Sequence, residues 1–199
     1  MSKFIWCLDA GHGCDTPGKR SPKFEDGSQL MEWEFNRAIV QGIIKELKKL
    51  DIEYFEVTPE DIDIPLKKRC DRVNKYQPKR KKVLISIHAN AHGNGKEFTD
   101  ASGWEVFTTK GVTKSDAIAE VVAKNAKKTL KDMKMRFDIT DGDLDKEADF
   151  YIIKGVSCPA ILTENGFMTN KKEAKLMMSE DFRKKIIKVH VDSIVELEK

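Results

Sequence analysis

Two apolar periods alternate along this chain. Phe4–Leu8, Val83–Ile87 and Pro159–Thr163 are short, nearly continuous apolar runs, the form taken by strands buried on both faces. Ile52–Val57 alternates as a half-buried strand does, and Gly103–Thr108 and Phe150–Ile153 read as two more. Between them the period lengthens. Phe35, Ile39, Ile43, Leu47 and Leu50 fall at helical spacing, with Glu32 and Glu34 at the start and Lys45, Lys48 and Lys49 at the end, where each charge suits the helix dipole. Pro65 opens a second helix through Cys70 and Val73 that Pro78 closes. Ile118 to Met133 predicts a third, capped by Thr113 or Ser115. A short helix after Asn170 and a longer one over Asp181–Glu198 complete the chain. The order predicts a single-domain α/β fold: a mixed sheet of about six strands flanked by helices on both faces.

Composition narrows the classes. The 199 residues suit one domain; they are 40% apolar and 35% charged, leaving little room for long disordered tracts. A net charge of +3 is far from the balance of a dedicated nucleic-acid binder. No apolar stretch approaches the ~18 residues of a membrane span, and the N-terminus does not read as a secretory signal. The expectation is therefore synthesis in the cytoplasm, with any external action following release or non-classical export. The basic run Lys79–Lys82 reads first as a solvated turn and second as a patch for an anionic polymer. None of Cys7, Cys14, Cys70 and Cys158 forms a C-x-x-C pair, so neither a disulfide framework nor an all-cysteine zinc site is expected. Cys7 and Cys158 read as small buried apolar residues.

Three apolar runs end in chemically capable side chains. The first reaches His12 between two glycines, the second reaches His88, and the last reaches Glu164. They lie far apart in sequence, so only a sheet can join them, and ligands of open α/β sheets bind at the carboxyl ends of strands. Glu32 and Glu34 both begin the helix after the first strand and reach the same edge. Two imidazoles and a carboxylate around an open position make a hydrolytic zinc arrangement, and a further carboxylate would handle the proton. The residues alone leave open which glutamate is the ligand. His92 follows His88 at i+4 but lies on a strand–loop stretch, which disfavours ligation, and His190 reads as a surface or partly buried structural residue.

The stretches Leu8-Asp9-Ala10-Gly11-His12-Gly13, Glu32 with Asn36, Ser86-Ile87-His88-Ala89-Asn90 and Thr163-Glu164-Asn165-Gly166-Phe167-Met168-Thr169-Asn170 resemble the zinc-dependent N-acetylmuramoyl-L-alanine amidases, cell-wall hydrolases of bacteria and phages. Arg69, Asn74 and Gly103-Trp104-Glu105-Val106 agree as well, and the resemblance covers essentially the whole chain. It implies that His12, Glu32 and His88 bind one zinc ion, that Glu164 is the catalytic carboxylate, and that the substrate is the muramoyl-peptide of peptidoglycan. The expectation is a monomeric catalytic domain over residues 1–199, acting on the wall without nucleic-acid or membrane partners; no separate wall-binding domain is expected, a departure from the many relatives that carry one. Cys14 departs from the family pattern, which commonly has a glycine there. The short Ala91–Trp104 segment implies an open site. The alternatives are a zinc peptidase or deacetylase, or a non-catalytic wall-binding module.

Overall fold

The computed structural model describes residues 2–140 and 142–199. Its six strands are β1 (Phe4–Ala10), β2 (Tyr54–Glu56), β3 (Lys81–Asn90), β4 (Glu105–Thr108), β5 (Lys146–Glu147) and β6 (Ala160–Phe167). They form one sheet in the order β2-β1-β3-β6-β4-β5. β2, β1, β3 and β6 run parallel, while β4 is antiparallel to β6, so the sheet is mixed as expected. The helices are α1 (Glu32–Lys49), α2 (Leu66–Lys75), α3 (Lys114–Thr129), α4 (Tyr151–Lys154), α5 (Lys171–Met178) and α6 (Glu180–Leu197).

Alternation along each strand divides the core between the two faces. Ile85 and Ile87 of β3, Ile161 of β6 and Val106 of β4 join the larger core, which α1, α3, α5 and α6 cover. Leu84, Leu162 and Phe107 point the other way, into a smaller core under α2 and α4. The helix signals act as read. Thr113 caps α3 in a reciprocal box with Asp116, Asn170 caps α5 and Ser179 caps α6. The start of α1 lacks a side-chain cap and depends on its two first-turn glutamates.

Four local readings are corrected. Phe150–Ile153 is not a strand: Tyr151–Lys154 is a single helical turn, and the fifth strand is Lys146–Glu147, inside the stretch expected to be loop. Adjacent Ile152 and Ile153 are both buried against the smaller core, which a strand's alternation forbids and a helical turn allows. α3 ends at Thr129, short of Met133. The run Lys79–Lys82 is only partly a turn, because Lys81 and Lys82 open β3. The Lys82 ammonium donates to the carbonyls of Val73 (2.6 Å) and Tyr76 (2.7 Å) at the end of α2, and Arg80 pairs with Glu53. His190 is fully buried rather than at the surface. Cys7 is buried as expected, and burial pushes its thiol up to about 12, whereas Cys158 is half-buried.

Candidate metal centre

The side chains that matter occupy the last rows of the sheet on its thinly covered face. Register places His88 beside Glu164 and Glu164 beside Glu105, one row crossing β3, β6 and β4. His12 enters from the turn after β1 with a left-handed backbone (φ 63°). Several partners hold that conformation. The His12 carbonyl accepts from Arg37 Nη2 (3.3 Å) and Arg69 Nη2 (3.2 Å), and Asn36 Nδ2 donates to the Gly11 carbonyl (3.1 Å). Gly11 is required by space: a Cβ there would sit 2.2 Å from Cε1 of His88.

Arg69 is the buried post of this turn. Its guanidinium meets Asp9 Oδ1 (3.0 Å), Asp63 Oδ1 (2.8 Å) and the carbonyls of Ala10 (2.7 Å) and Ile64 (2.6 Å). Asp9 in turn accepts from Ser86 Oγ of β3 (2.6 Å), which ties the post to the strand carrying His88.

Glu32 comes to the same point from the first turn of α1. Its Oε1 lies 3.4 Å from His12 Nε2 and 3.2 Å from His88 Nδ1, and one donor atom of each residue falls within 4.8 Å of the others. These two separations suit ligands of a tetrahedral zinc ion, whose bonds of about 2.0–2.1 Å set neighbouring donors about 3.3 Å apart. Glu32 Oε2 is buried without a hydrogen-bond partner, the kind of atom a cation would satisfy. The residues present therefore fit a bound metal ion. Glu34, the other candidate from the sequence, is exposed and outside this group.

Electrostatics agree with the geometry. Burial lowers His12 to about 4, with Glu32 opposing and His88 reinforcing, so its imidazole is neutral at physiological pH, the form that ligates metal. For His88, burial alone would lower the value, but the Glu32 hydrogen bond and the charges of Glu164 and Glu32 outweigh it and raise it. Glu32 is lowered in return; burial works against ionisation, and His88 overcomes it. Glu164 is lifted to about 8, first by burial and then by the charges of Glu32 and Glu105, with His88 opposing. Its Oε2 also lacks a hydrogen-bond partner.

The remaining candidates do not join this group. Cys14 is exposed, its amide donating to the Asp61 carbonyl (2.7 Å). His92 is exposed, its amide held by Thr169 Oγ1 (2.9 Å). Sequence reasoning gave no role to Glu105, Arg136 or Lys146. Glu105 is only 3% exposed, with Oε1 accepting from Asn90 Nδ2 (2.7 Å) and lying 3.0 Å from Arg136 Nε, while Oε2 pairs with Lys146 Nζ (2.5 Å). The signal available was Glu105 beginning a strand.

Comparison with known proteins agrees over nearly the full length. The family described as N-acetylmuramoyl-L-alanine amidase matches residues 7–196. The endolysin of Bacillus phage SPP1 is 30% identical over 200 residues, covering 99% of this chain and 66% of its own length. Amidase AmiC of Neisseria meningitidis serogroup B is 30% identical over 216 residues, covering 89% of this chain and 48% of its own length. The chain thus spans between about half and two thirds of these two relatives. The N-acetylmuramoyl-L-alanine amidase from Clostridium difficile 630 superposes with a TM-score of 0.82 at 25% identity, covering 98% of this chain and 97% of that one. With the match spanning nearly every residue, this chain belongs to the N-acetylmuramoyl-L-alanine amidase family.

Proposed function

We propose that this chain hydrolyses the amide joining the lactyl group of N-acetylmuramic acid to L-alanine in peptidoglycan, with one zinc ion held by His12, Glu32 and His88. The observation that carries the reading is the meeting of those three donors at one strand edge, with the half-buried Glu164, whose Oε2 is buried and unpartnered, next in the row. Zinc in such a site supplies Lewis acidity, polarising a carbonyl and lowering the pKa of water from about 15.7 to about 7.

The chain's own residues do the rest. His12 and His88 present nitrogen, and Glu32 presents an anion that α1 holds in place. Glu164 moves the proton. Its carboxyl takes one from the attacking water and delivers it to the departing nitrogen, a role worth about 10²–10⁴-fold. The about 8 to which its surroundings lift it keeps a proton available near neutrality, and positive charge brought close draws that value down toward the range where taking and giving are both feasible. Asn36, 3.5 Å from Glu32 Oε1, and Arg69, behind the His12 turn, orient the donors.

We also read residues 1–199 as the catalytic domain, working as a monomer on the wall without nucleic-acid or membrane partners. Among the described residues no helix is long and apolar enough to cross a membrane.

The test is mass spectrometry of digested peptidoglycan together with elemental analysis. The expected result is glycan free of peptide, intact stem peptides starting at L-alanine, and one zinc per chain. Cleavage within the stem peptide, or loss of acetyl groups instead, would transfer the same centre to a peptidase or deacetylase.

A further inference from the structure

We propose that Arg136 and Lys146 form a subsite for a carboxylate on the second residue of the stem peptide, so that the enzyme distinguishes a free glutamate from its amidated form. This rests on the amidase reading above, which places the scissile amide between the His12–Glu32–His88 group and Glu164.

The direction of the substrate follows from the strand order. The metal-capable group lies at the ends of β1 and β3, Glu164 sits beside His88 on β6, and β4 and β5 come next. The leaving nitrogen must meet Glu164, so the peptide it carries continues across β4 and β5. Strands lie about 4.8 Å apart, so Glu105 stands roughly 5 Å beyond Glu164 along the row, and Lys146, in register with Phe107 on the next strand, reaches back to Glu105 with its ammonium. An extended chain advances about 3.3 Å per residue, which brings the carboxylate of the second residue to the Glu105 position and the two cations paired with it.

The chemistry there suits an anion. Both Glu105 oxygens are occupied, Oε1 by Asn90 and Arg136 and Oε2 by Lys146. Glu173 also lies near Arg136 and Asp138 near Lys146, so what the site offers a carboxylate is unengaged donors rather than a surplus of positive charge. Arg136 and Lys146 remain about a third exposed, at 31% and 27%, which leaves room for a ligand to reach them. The guanidinium lies 5.2 Å over the Phe167 ring, and its stem fills the space that Gly103 leaves by lacking a Cβ. Nε faces Glu105, and among the described residues no hydrogen bond or ion pair engages Nη1 or Nη2. A planar fork braced on a ring, with two donors unengaged among the described residues, is suited to bidentate capture of a carboxylate. Three nearby acids have hydrogen-bond donors of their own: Asp138 accepts from Thr140, Asp145 from Thr108 Oγ1, and Glu173 from the amides of Gly103 and Phe167.

The test compares two tripeptides, L-alanyl-γ-D-glutamyl-L-lysine and its D-isoglutaminyl counterpart, by calorimetric binding to the full chain. A charge-assisted pair predicts a preference of about 10- to 100-fold for the acid. Arg136→Gln should bring that ratio toward one, Lys146→Gln should lower it, and Arg136→Lys should keep part of it. The same ratios should appear in kcat/KM on the corresponding muramoyl-peptides. Because each ratio compares two ligands on one protein, a general loss of folding cannot imitate the effect. A wild-type ratio near one, or a ratio unmoved in both glutamine variants, overturns the subsite. If neither muramoyl-peptide is hydrolysed, the amidase reading fails, and the binding ratio still decides the subsite by itself.

Discussion

Replacing Arg69 with methionine should reveal how much of the metal centre is built from behind. The substitution keeps an apolar stem of similar length and removes the guanidinium that meets Asp9, Asp63 and the carbonyls of Ala10, His12 and Ile64. Arg69 and Asp9 are 2% and 1% exposed, so no water replaces what is lost. Asp9 keeps only the Ser86 hydroxyl, and the carbonyls of Ala10 and Ile64 lose a charged donor. Removing one partner of a buried pair costs about 3–5 kcal/mol. At about 2–4 °C per kcal/mol for a chain of this size, the thermal midpoint should fall by about 6–20 °C. Guanidinium unfolding of metal-free protein measures the loss directly. Adding Asp9→Asn should recover part of it, since the stranded charge is gone, with a coupling of about 1–3 kcal/mol in the double-mutant cycle. Zinc affinity should fall as well, because Arg69 Nη2 steadies the carbonyl of the left-handed His12. A stability loss below about 1 kcal/mol, with additive single variants, would refute the claim that this ion pair holds the turn.

Three shorter predictions follow from other contacts. Glu164→Gln should keep zinc, by elemental analysis, and lose about 10²–10⁴-fold in wall hydrolysis; turnover within a few-fold of wild type would remove Glu164 from its role. Gly11→Ala places a methyl 2.2 Å from the His88 ring, so zinc binding by equilibrium dialysis should weaken by at least about 10-fold, the scale on which disturbing a ligand's support acts; unchanged affinity would mean that the ring moves freely. Burial depresses His190 from its ordinary 6.5 to about 3, so the unfolded chain takes up this proton before the folded one does. The associated stability is complete above pH 6.5 and lost as pH falls toward 3. His190→Leu should flatten that acid limb in urea unfolding across this window, and an unchanged slope there would contradict the assignment.

Several features were legible before any coordinates because they are local or periodic. α1 announces itself by apolar spacing and by acids and lysines at its opposite ends; β1, β3 and β6 do so by apolar runs that break off at His12, His88 and Glu164. The prediction that these ends meet needed only the rule that ligands gather at the carboxyl ends of parallel strands. Local pattern failed where burial from two sides overrides propensity. Tyr151–Lys154 has a strand's composition and forms a helical turn, because Ile152 and Ile153 must both reach the smaller core.

Which glutamate meets the two histidines depends on rotation: Glu32 and Glu34 lie two positions apart on α1, on different faces of a helix, and only Glu32 turns toward His12 and His88. His190 looked peripheral because its helix is lysine-rich, yet its side of α6 faces the larger core and leaves it fully buried. Arg136 and Lys146 lie in a polar stretch that carries no period. What joins them is Glu105, which meets Glu164 only through the antiparallel register of β4 against β6. Sequence by itself thus determined the elements and the types of donor at their ends, since both depend on neighbours along the chain. Which charges share an edge, and which of them stay free to meet a substrate, is set by strand order and register, and these arise only when the whole sheet packs.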